Sequence, residues 1–210
     1  MSKRERDGVR IGADGVARCW WAGSSPDYCA YHDTEWGFPV SDDARLFEKL
    51  SLEAFQAGLS WLTVLRKRDA FRRAFRGFEP AAVARFGERE VAALLADPGI
   101  VRHRGKIEAV IGNARRALEL IETEGSLAAH VWRFAPPARS AAPSRAQLAA
   151  QTPVPEARAL ARDLRARGWR FLGPTTVYAF MQAMGLVNDH VEGCDARAAA
   201  ARARRRFARP

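Results

Sequence analysis

The sequence predicts a single all-α unit over residues 18–194. Apolar residues recur at three- and four-residue spacing in most of the chain, and helix start and stop signals flank these runs. Strand signals are scarce, because apolar and polar residues nowhere alternate for long and β-branched residues seldom cluster. With 210 residues, 48% of them hydrophobic, the chain is long enough to bury one substantial core.

Two helices are predicted in the first third of the chain. Ser41 is a suitable N-cap for the first, and two acids in its first turn complement the positive end of the helix dipole. Its apolar face comprises Leu46, Phe47, Leu50, Ala54 and Phe55. Gly58 interrupts this run, and Ser60 is placed to cap a second helix.

A helix, a tight loop and a second helix are predicted in the middle of the chain. The helix over 88–95 must stop at Asp97-Pro98-Gly99, because proline disfavours the helical conformation of the residue before it. After a loop to Gly105, residues 106–122 carry the clearest helical stripe in the sequence.

The last third is predicted to hold a long connection and two further helices. Residues 135–154 are rich in Pro, Ala and Ser, which favours an irregular segment with one helical turn. Pro155 suits the first position of a helix that ends at Arg167, and another helix is predicted over 175–184.

The two ends of the chain differ from the middle. Residues 1–17 form a basic N-terminal extension and residues 195–210 an Arg/Ala-rich tail, and both are expected to be disordered. Lys and Arg number 34 against 24 acids, which gives a net charge of +10. This charge favours a partner with a phosphate backbone, although an Ala/Arg-rich composition can also reflect codon usage.

The location of the protein is predicted from what the sequence lacks. No apolar run follows the basic N-terminus and nowhere do eighteen apolar residues occur in succession, so neither a signal peptide nor a membrane span is expected. We therefore expect a cytoplasmic protein, and a monomer. The three cysteines make no disulfide framework, and in a reducing compartment a cysteine near a histidine suits a metal.

Four candidate metal ligands lie near the two ends of the predicted unit: Cys19, His32, His190 and Cys194. The last two are separated by a Val-Glu-Gly segment that a tight turn can fold onto one ion, and Cys2His2 is a common structural zinc set. Cys29 is an equal rival to Cys19, because Cys29-x2-His32 is also a plausible pair. Packing roles for single Cys and His residues remain the alternative.

Aromatic residues and one acid could form a ligand pocket. The aromatic candidates are Trp20, Trp21, Tyr28, Tyr31, Trp36 and Trp61. Such rings can hold a flat heterocycle, since each stacked base gains about 1–3 kcal/mol on an aromatic face. Glu53 lies on an otherwise apolar helix, where a carboxylate needs a partner such as a ligand's amino group. Core packing of the rings and solvent exposure of Glu53 are the alternatives.

The loop between the two middle helices could bind a phosphate. It contains Gly99, Arg102, Arg104, Gly105 and Lys106. Glycines permit close approach, and free backbone N–H groups at the start of the next helix can bind an anion beside Arg and Lys charges. A basic solvated turn is the alternative.

These motifs, in this order, resemble those of the DNA-3-methyladenine glycosylase I family. The resemblance covers about residues 18–194 and rests on five stretches. They are Cys19-x-Trp21, the aromatic stretch from Pro26 to Gly37, Leu52-Glu53-x2-Gln56-Ala57-Gly58-Leu59-Ser60-Trp61, Gly99 to Ile107, and Leu186-Val187-Asn188-Asp189-His190-x2-Gly193-Cys194.

The resemblance implies a helix-hairpin-helix DNA glycosylase fold with a structural zinc that joins the N- and C-terminal segments. Zinc would be held by Cys19, His32, His190 and Cys194, which leaves Cys29 as a packing residue. Glu53 would recognise the extruded base and serve as the catalytic residue, in a pocket shaped by Tyr28, Tyr31, Trp61 and Trp21. The hairpin at 99–106 would contact backbone phosphates of double-stranded DNA that contains alkylated bases.

The implied reaction is hydrolysis of the N-glycosidic bond of N3-methyladenine, which leaves an abasic site. A methyl group on N3 makes the base cationic and a good leaving group, so selective binding and orientation would carry most of the catalysis. Three alternatives belong to other classes: a zinc-stabilised DNA-binding module, a lyase that uses Lys106 as an amine nucleophile, and a catalytic zinc hydrolase. Four protein ligands on zinc disfavour the last.

Overall fold

Helices form most of this computed structural model, which describes residues 8–23, 25–139, 141–151 and 153–210. The helices in this part of the chain are α1 (Pro26–Thr34), α2 (Asp43–Gln56), α3 (Trp61–Ala74), α4 (Pro80–Val83), α5 (Glu88–Ala96), α6 (Arg104–Glu124), α7 (Leu127–Trp132), α8 (Arg145–Gln151), α9 (Pro155–Ala166), α10 (Pro174–Ala183) and α11 (Ala196–Arg206). Single 3-10 turns occupy Trp20–Ala22 and Arg76–Phe78. The predicted helical class is confirmed.

The helix start signals in the sequence are largely confirmed. The Ser60 hydroxyl accepts a hydrogen bond from the Thr63 N–H at 3.2 Å and caps α3. Pro155 is the first residue of α9. The cap of α2 is Asp42 rather than Ser41, since the Asp42 carboxylate accepts from the Arg45 N–H at 2.8 Å.

Helix α2 is the centre of the fold. It packs against α3, α6, α7 and α10, and the residues from Leu46 to Phe55 are all buried. An aromatic cluster of Phe47, Phe55, Phe71, Phe75 and Phe78 fills the core beside it. A charged side chain in this part of α2 is therefore enclosed by the fold, as Lys49 and Glu53 are.

The N-terminal segment contains a strand pair that the sequence pattern did not predict. Strands β1 (Val9–Ile11) and β2 (Ala17–Cys19) are antiparallel, with Val9 opposite Cys19. Val9 and Ala17 are buried in the core, which offsets the ordering of so short a hairpin. The expectation of disorder is thus wrong for residues 8–17, while residues 1–7 lie outside the described part of the chain.

The C-terminal segment is also ordered, and its predicted disorder is wrong. Ala200 of α11 is fully buried, and the Arg204 guanidinium donates to the Gly185 carbonyl at 2.6 Å. The Phe207 ring lies 4.5 Å from the Trp132 ring, centroid to centroid. The alternation of Ala and Arg gives α11 one small apolar face that packs and one charged face that does not.

No helix within the described ranges is long and apolar enough to cross a membrane.

Candidate functional site

A cavity of about 500 Å³ contains all the residues predicted to bind a base. Its walls are formed by Trp20, Trp21, Tyr28, Tyr31, Trp36, Glu53, Gln56, Trp61, Arg145, Leu148, Ala149, Ala179 and Gln182. These residues come from α1, α2, α3, α8 and α10 and from the segments directly before and after α1. The volume is in the range of small-molecule pockets, and the lining is aromatic with few polar groups.

Helix α1 supplies the two tyrosines of the cavity. Tyr28 and Tyr31 are three residues apart and therefore lie on the same face of the helix. The Tyr28 hydroxyl accepts a hydrogen bond from the Leu62 N–H at 3.0 Å, so it also satisfies a free donor in the first turn of α3. The Tyr28 ring is thus anchored to α3.

The tryptophans extend the aromatic wall. The Trp21 ring packs edge-on against Tyr28 at 5.9 Å and against Trp36 at 4.9 Å between centroids. The Tyr31 and Trp61 rings lie 5.4 Å apart. Trp36 is only 7% exposed yet lines the cavity, so it serves both the core and the pocket.

Glu53 is buried at the cavity, with 5% of its surface exposed, which rules out the alternative of a solvent-facing acid. Its partner within the protein is Lys49, one turn earlier on α2, whose Nζ lies 2.7 Å from Glu53 Oε1. Burial lowers the pKa of Lys49, and the Glu53 carboxylate opposes that shift. The predicted need for a partner is met, although that partner is a residue which the sequence interpretation did not single out.

Three further polar groups of the cavity were missed by the sequence interpretation. Gln56 and Gln182 lie at the cavity, on helices whose other residues toward the core are mostly apolar. A polar residue at such a position is a weak sequence signal for a pocket. Arg145 belongs to α8, in the segment predicted to be a connection, and its guanidinium carbon lies 5.1 Å from the centre of the Trp20 ring. Only the tertiary structure brings α8 to the cavity.

A second cluster, of metal-ligand type, lies behind the aromatic wall. Ligand atoms of Cys19, His32 and Cys194 are all within 4.8 Å of one another, and all three residues are buried. Cys194 Sγ is 3.5 Å from His32 Nε2. Cys29 is not part of this cluster; it is partly exposed, and its thiol faces the Gly23 carbonyl at 3.9 Å.

The hydrogen bonds of His32 and the two thiols suit a metal. His32 Nδ1 is 2.8 Å from Asp33 Oδ1, a contact that turns Nε2 toward the cysteines. A hydrogen bond with Cys19 lowers the pKa of the Cys194 thiol, which favours its thiolate form. Thiolates are the form that binds zinc.

The fourth predicted ligand, His190, lies beside this cluster but outside the group of three. Its ring centroid is 5.1 Å from that of His32. His190 Nδ1 is 2.9 Å from Asn188 Oδ1, and its Nε2 is buried with no hydrogen-bond partner in the described part of the chain. Burial lowers the pKa of His190 to about 3, so the ring is neutral and Nε2 carries a free lone pair.

Gly37 makes this position of His190 possible. It has a φ of +84°, and a Cβ at this residue would lie 2.7 Å from His190 Cε1. Any side chain at position 37 would therefore displace the imidazole ring or the backbone. The orphaned Nε2, the two thiols and the oriented His32 together fit a Cys2His2 zinc set.

The predicted hairpin is formed by α5, the loop after it and α6. Arg102 is exposed, and Arg104, half exposed, pairs with Glu88 and Glu108 at 3.2 Å each. Arg104 and Gly105 are the first two residues of α6, whose N–H groups have no partner within the helix. The Gly99 N–H donates to Asp97 at 2.7 Å, so this amide is already satisfied.

Lys106 differs from its prediction. Its side chain is buried, and Nζ donates to the carbonyls of Phe55 at 2.9 Å and Ala57 at 2.7 Å. The ammonium group thus satisfies carbonyls at the C-terminal end of α2, where a cation is favoured. This geometry corrects the predicted phosphate contact of the Lys106 side chain and removes the basis for Lys106 as a lyase nucleophile.

Comparisons with known proteins agree with this site. The sequence model of the family Methyladenine glycosylase matches residues 21–198. DNA-3-methyladenine glycosylase 1 of Escherichia coli (strain K12) is 46% identical over 181 residues, which cover 85% of this chain and 96% of the relative.

Solved structures show the same fold. A crystal structure of 3-methyladenine DNA glycosylase I has a TM-score of 0.79 and 48% identity, and the match covers 85% of this chain and 98% of that chain. A tyrosine-to-phenylalanine variant of 3-methyladenine DNA glycosylase I, solved in complex with 3-methyladenine, has a TM-score of 0.78 and 35% identity, with 84% and 95% covered.

Proposed function

Because the chain belongs to the methyladenine glycosylase family and is a DNA-3-methyladenine glycosylase, we propose that it flips N3-methyladenine out of double-stranded DNA and hydrolyses its N-glycosidic bond. The observation that carries this mechanism is the buried carboxylate of Glu53 at the wall of an aromatic cavity. The cavity is large enough for a purine, and a duplex base reaches it only by extrusion.

Recognition of the base follows from the lining of the cavity. Stacking on the rings of Trp61 and Tyr31 compensates for the lost stacking in DNA, which is worth a few kcal/mol. Electron-rich rings favour a cationic base over a neutral one. The free oxygen of Glu53 accepts a hydrogen bond from the exocyclic amino group, while Tyr28 and Trp21 close the sides of the pocket.

Bond cleavage then requires little acid catalysis. The C1′–N9 bond breaks with its electron pair moving to the base, which neutralises the positive charge of the methylated ring. Water forms the new C1′–O bond and releases a proton to solvent, which leaves an abasic site and free 3-methyladenine. Glu53 contributes as the catalytic residue by holding the base in the orientation for departure and by stabilising positive charge on the sugar.

Zinc is proposed as a structural cofactor held by Cys19, His32, His190 and Cys194. Support comes from the cluster of three ligands and from the unpartnered Nε2 of His190. With four protein ligands the ion would have no open position for water, so its role would be structural: it would join the N- and C-terminal segments.

DNA would be held by the hairpin surface beside the cavity. Arg102, the partly exposed Arg104 and the free N–H groups at Arg104 and Gly105 are the proposed phosphate contacts, with Gly99 shaping the loop that precedes them. Leu59, in the turn between α2 and α3, is a large apolar residue with 43% exposure. We assign it to the space that the extruded nucleotide leaves, since apolar side chains commonly fill such gaps in DNA.

The cytoplasm and a monomeric state complete the proposal. The three cysteines form no disulfide within the described residues, which agrees with a reducing compartment. One chain supplies every residue of the cavity, so a second copy is not required for the reaction.

The test uses DNA treated with a methylating agent and chromatography of the released bases. Wild-type protein should release 3-methyladenine, and Glu53→Gln should lower the rate by about tenfold or more, because a hydrogen bond to a charged group contributes about 1.5–3 kcal/mol. Zinc content and thermal unfolding of both proteins serve as controls. Absence of released base would contradict the function, and a Glu53→Gln rate equal to wild type would contradict the role of Glu53.

A further inference from the structure

The ammonium group of Lys49 is the common neighbour of three residues in the cavity wall. Nζ lies 2.7 Å from Glu53 Oε1, 2.9 Å from the Tyr31 hydroxyl and 3.3 Å from the centre of the Trp61 ring. The Lys49 side chain is 6% exposed and does not itself line the cavity. It therefore stands behind the wall, on the side opposite an extruded base.

We propose that Lys49 is a positioning residue of the base site, which fixes Glu53, Tyr31 and Trp61 in the orientation that recognises the base. This inference rests on the proposed function and extends it to a residue that never touches the base. Its contacts with Glu53, Tyr31 and Trp61 determine, respectively, which carboxylate oxygen, which hydroxyl hydrogen and which ring face meet the base.

The contact with Glu53 decides which carboxylate oxygen meets the base. A glutamate side chain has three rotatable bonds, and an ion pair to a buried ammonium restricts them. Oε1 is held by Lys49, and Oε2 has no hydrogen-bond partner among the residues that the structure describes. Oε2 is therefore the oxygen left to accept from the exocyclic amino group.

The contact with Tyr31 sets the direction of its hydroxyl hydrogen. A lysine ammonium has only donors, so the Tyr31 oxygen must accept in this 2.9 Å hydrogen bond. The phenolic hydrogen is left to donate elsewhere. A ring nitrogen of the base that carries a lone pair is a suitable acceptor for it.

The contact with Trp61 leaves one face of the indole for the base. The ammonium covers the other face at 3.3 Å, which is cation–π distance. Since Trp61 also lines the cavity, stacking is directed to the face on the cavity side.

The charges around Lys49 explain why the pair is stable in a buried position. Glu53 faces it from α2, while Glu35, directly after α1, and Arg68 of α3 form a second pair nearby, with a 2.6 Å contact between them. Without the ammonium, Glu53 would be a buried carboxylate with no cation in contact, which is unfavourable. Lys49 thus compensates the buried charge of Glu53 as well as orienting it.

The experiment is a double-mutant cycle of Lys49→Met and Glu53→Gln, read as the single-turnover rate of 3-methyladenine release. Alone, Lys49→Met should reduce the rate by about tenfold to a hundredfold through misplacement of the recognition groups. In the Glu53→Gln background it should reduce the rate by a smaller factor, because the part of the loss that acts through Glu53 is already absent while the parts through Tyr31 and Trp61 remain. Arg85→Met, which removes one exposed positive charge that is not part of the cavity wall, should behave as wild type.

Rescue by a conservative variant distinguishes positioning from a merely structural role. Lys49→Gln retains a donor for Glu53 and should recover part of the rate; it carries the same cycle if Lys49→Met does not fold.

Several results would overturn the inference while leaving the proposed function intact. They are a wild-type rate for Lys49→Met, an equal loss in both backgrounds, or a rate for Lys49→Gln no higher than that of Lys49→Met. Failure of the wild-type protein to release base would instead contradict the proposed function.

Discussion

Replacement of Cys194 by alanine should remove the proposed zinc and weaken the connection between the ends of the fold. His32 and Cys194 are 162 residues apart in sequence, and a cross-link that closes such a loop restricts the unfolded chain by about 5 kcal/mol in the chain-entropy description. Cys29→Ala is the matched control, since Cys29 is a neighbouring cysteine outside the ligand cluster.

Part of that stabilisation does not depend on a metal. The Ala17 N–H donates to the Asp195 carboxylate at 2.8 Å, and the Asp195 N–H donates to the Ala17 carbonyl at 2.8 Å, so β2 and the start of α11 remain joined. We therefore expect Cys194→Ala to lower the free energy of unfolding by about 2–4 kcal/mol, less than the full loop-closure value. For a chain of this size, that corresponds to a fall in Tm of about 5–15 °C.

The assay combines atomic emission for zinc with calorimetric unfolding. Wild type and Cys29→Ala should each contain one zinc per chain, and Cys194→Ala should contain much less. Binding of free 3-methyladenine should also weaken in Cys194→Ala, because the His190 ring packs on Trp36 at 4.7 Å between centroids and Trp36 lines the cavity. A wild-type protein without zinc, or a Cys194→Ala protein with unchanged zinc and Tm, would refute the proposed site.

Three further predictions concern the DNA surface and the C-terminal helix. Arg102→Gln should lower the slope of log affinity for DNA against log salt by about 0.9, because one phosphate contact is lost. Lys106→Met should leave that slope unchanged and lower Tm, because its ammonium group donates to carbonyls inside the fold. Equal slopes for the two variants would contradict this assignment. Leu59→Ala should weaken binding to duplex DNA that contains the damaged base but not to free 3-methyladenine, and a loss in both assays would argue against a gap-filling role. Phe207→Ala should lower the free energy of unfolding by about 1–3 kcal/mol, because its ring contact with Trp132 is lost. Denaturant titration measures this change. An unchanged midpoint would show that the C-terminal segment adds no stability.

Local signals in the sequence were sufficient for most of the helices. Ser60 caps α3 and Pro155 opens α9 because capping and proline geometry depend on residues within one turn. The motifs also identified the residues that gather at the cavity, since Glu53, Tyr28, Tyr31 and Trp61 all line it. The helix ends depend on residues that are neighbours in sequence, and the cavity residues follow from the motifs of the family, so neither required the tertiary structure.

Helix α1 shows where a periodic pattern fails. It has no single apolar face, because Tyr31 faces the cavity while His32, the next residue, belongs to the metal-ligand cluster. A helix that serves two sites on opposite sides does not produce the one-sided stripe by which amphipathic helices are recognised.

The sequence by itself determined the helical class, the family and the chemical character of both clusters, because these depend on residue types at fixed spacing. Only the tertiary structure decided that the C-terminal tail packs as a helix, that Lys106 is turned inward and that Lys49 is the partner of Glu53. The physical reason is the same in each case: the partner of a buried charge or a small apolar face comes from the way elements meet in space. A lysine on a helix has the same local sequence signal whether its ammonium reaches solvent, a carbonyl or a carboxylate.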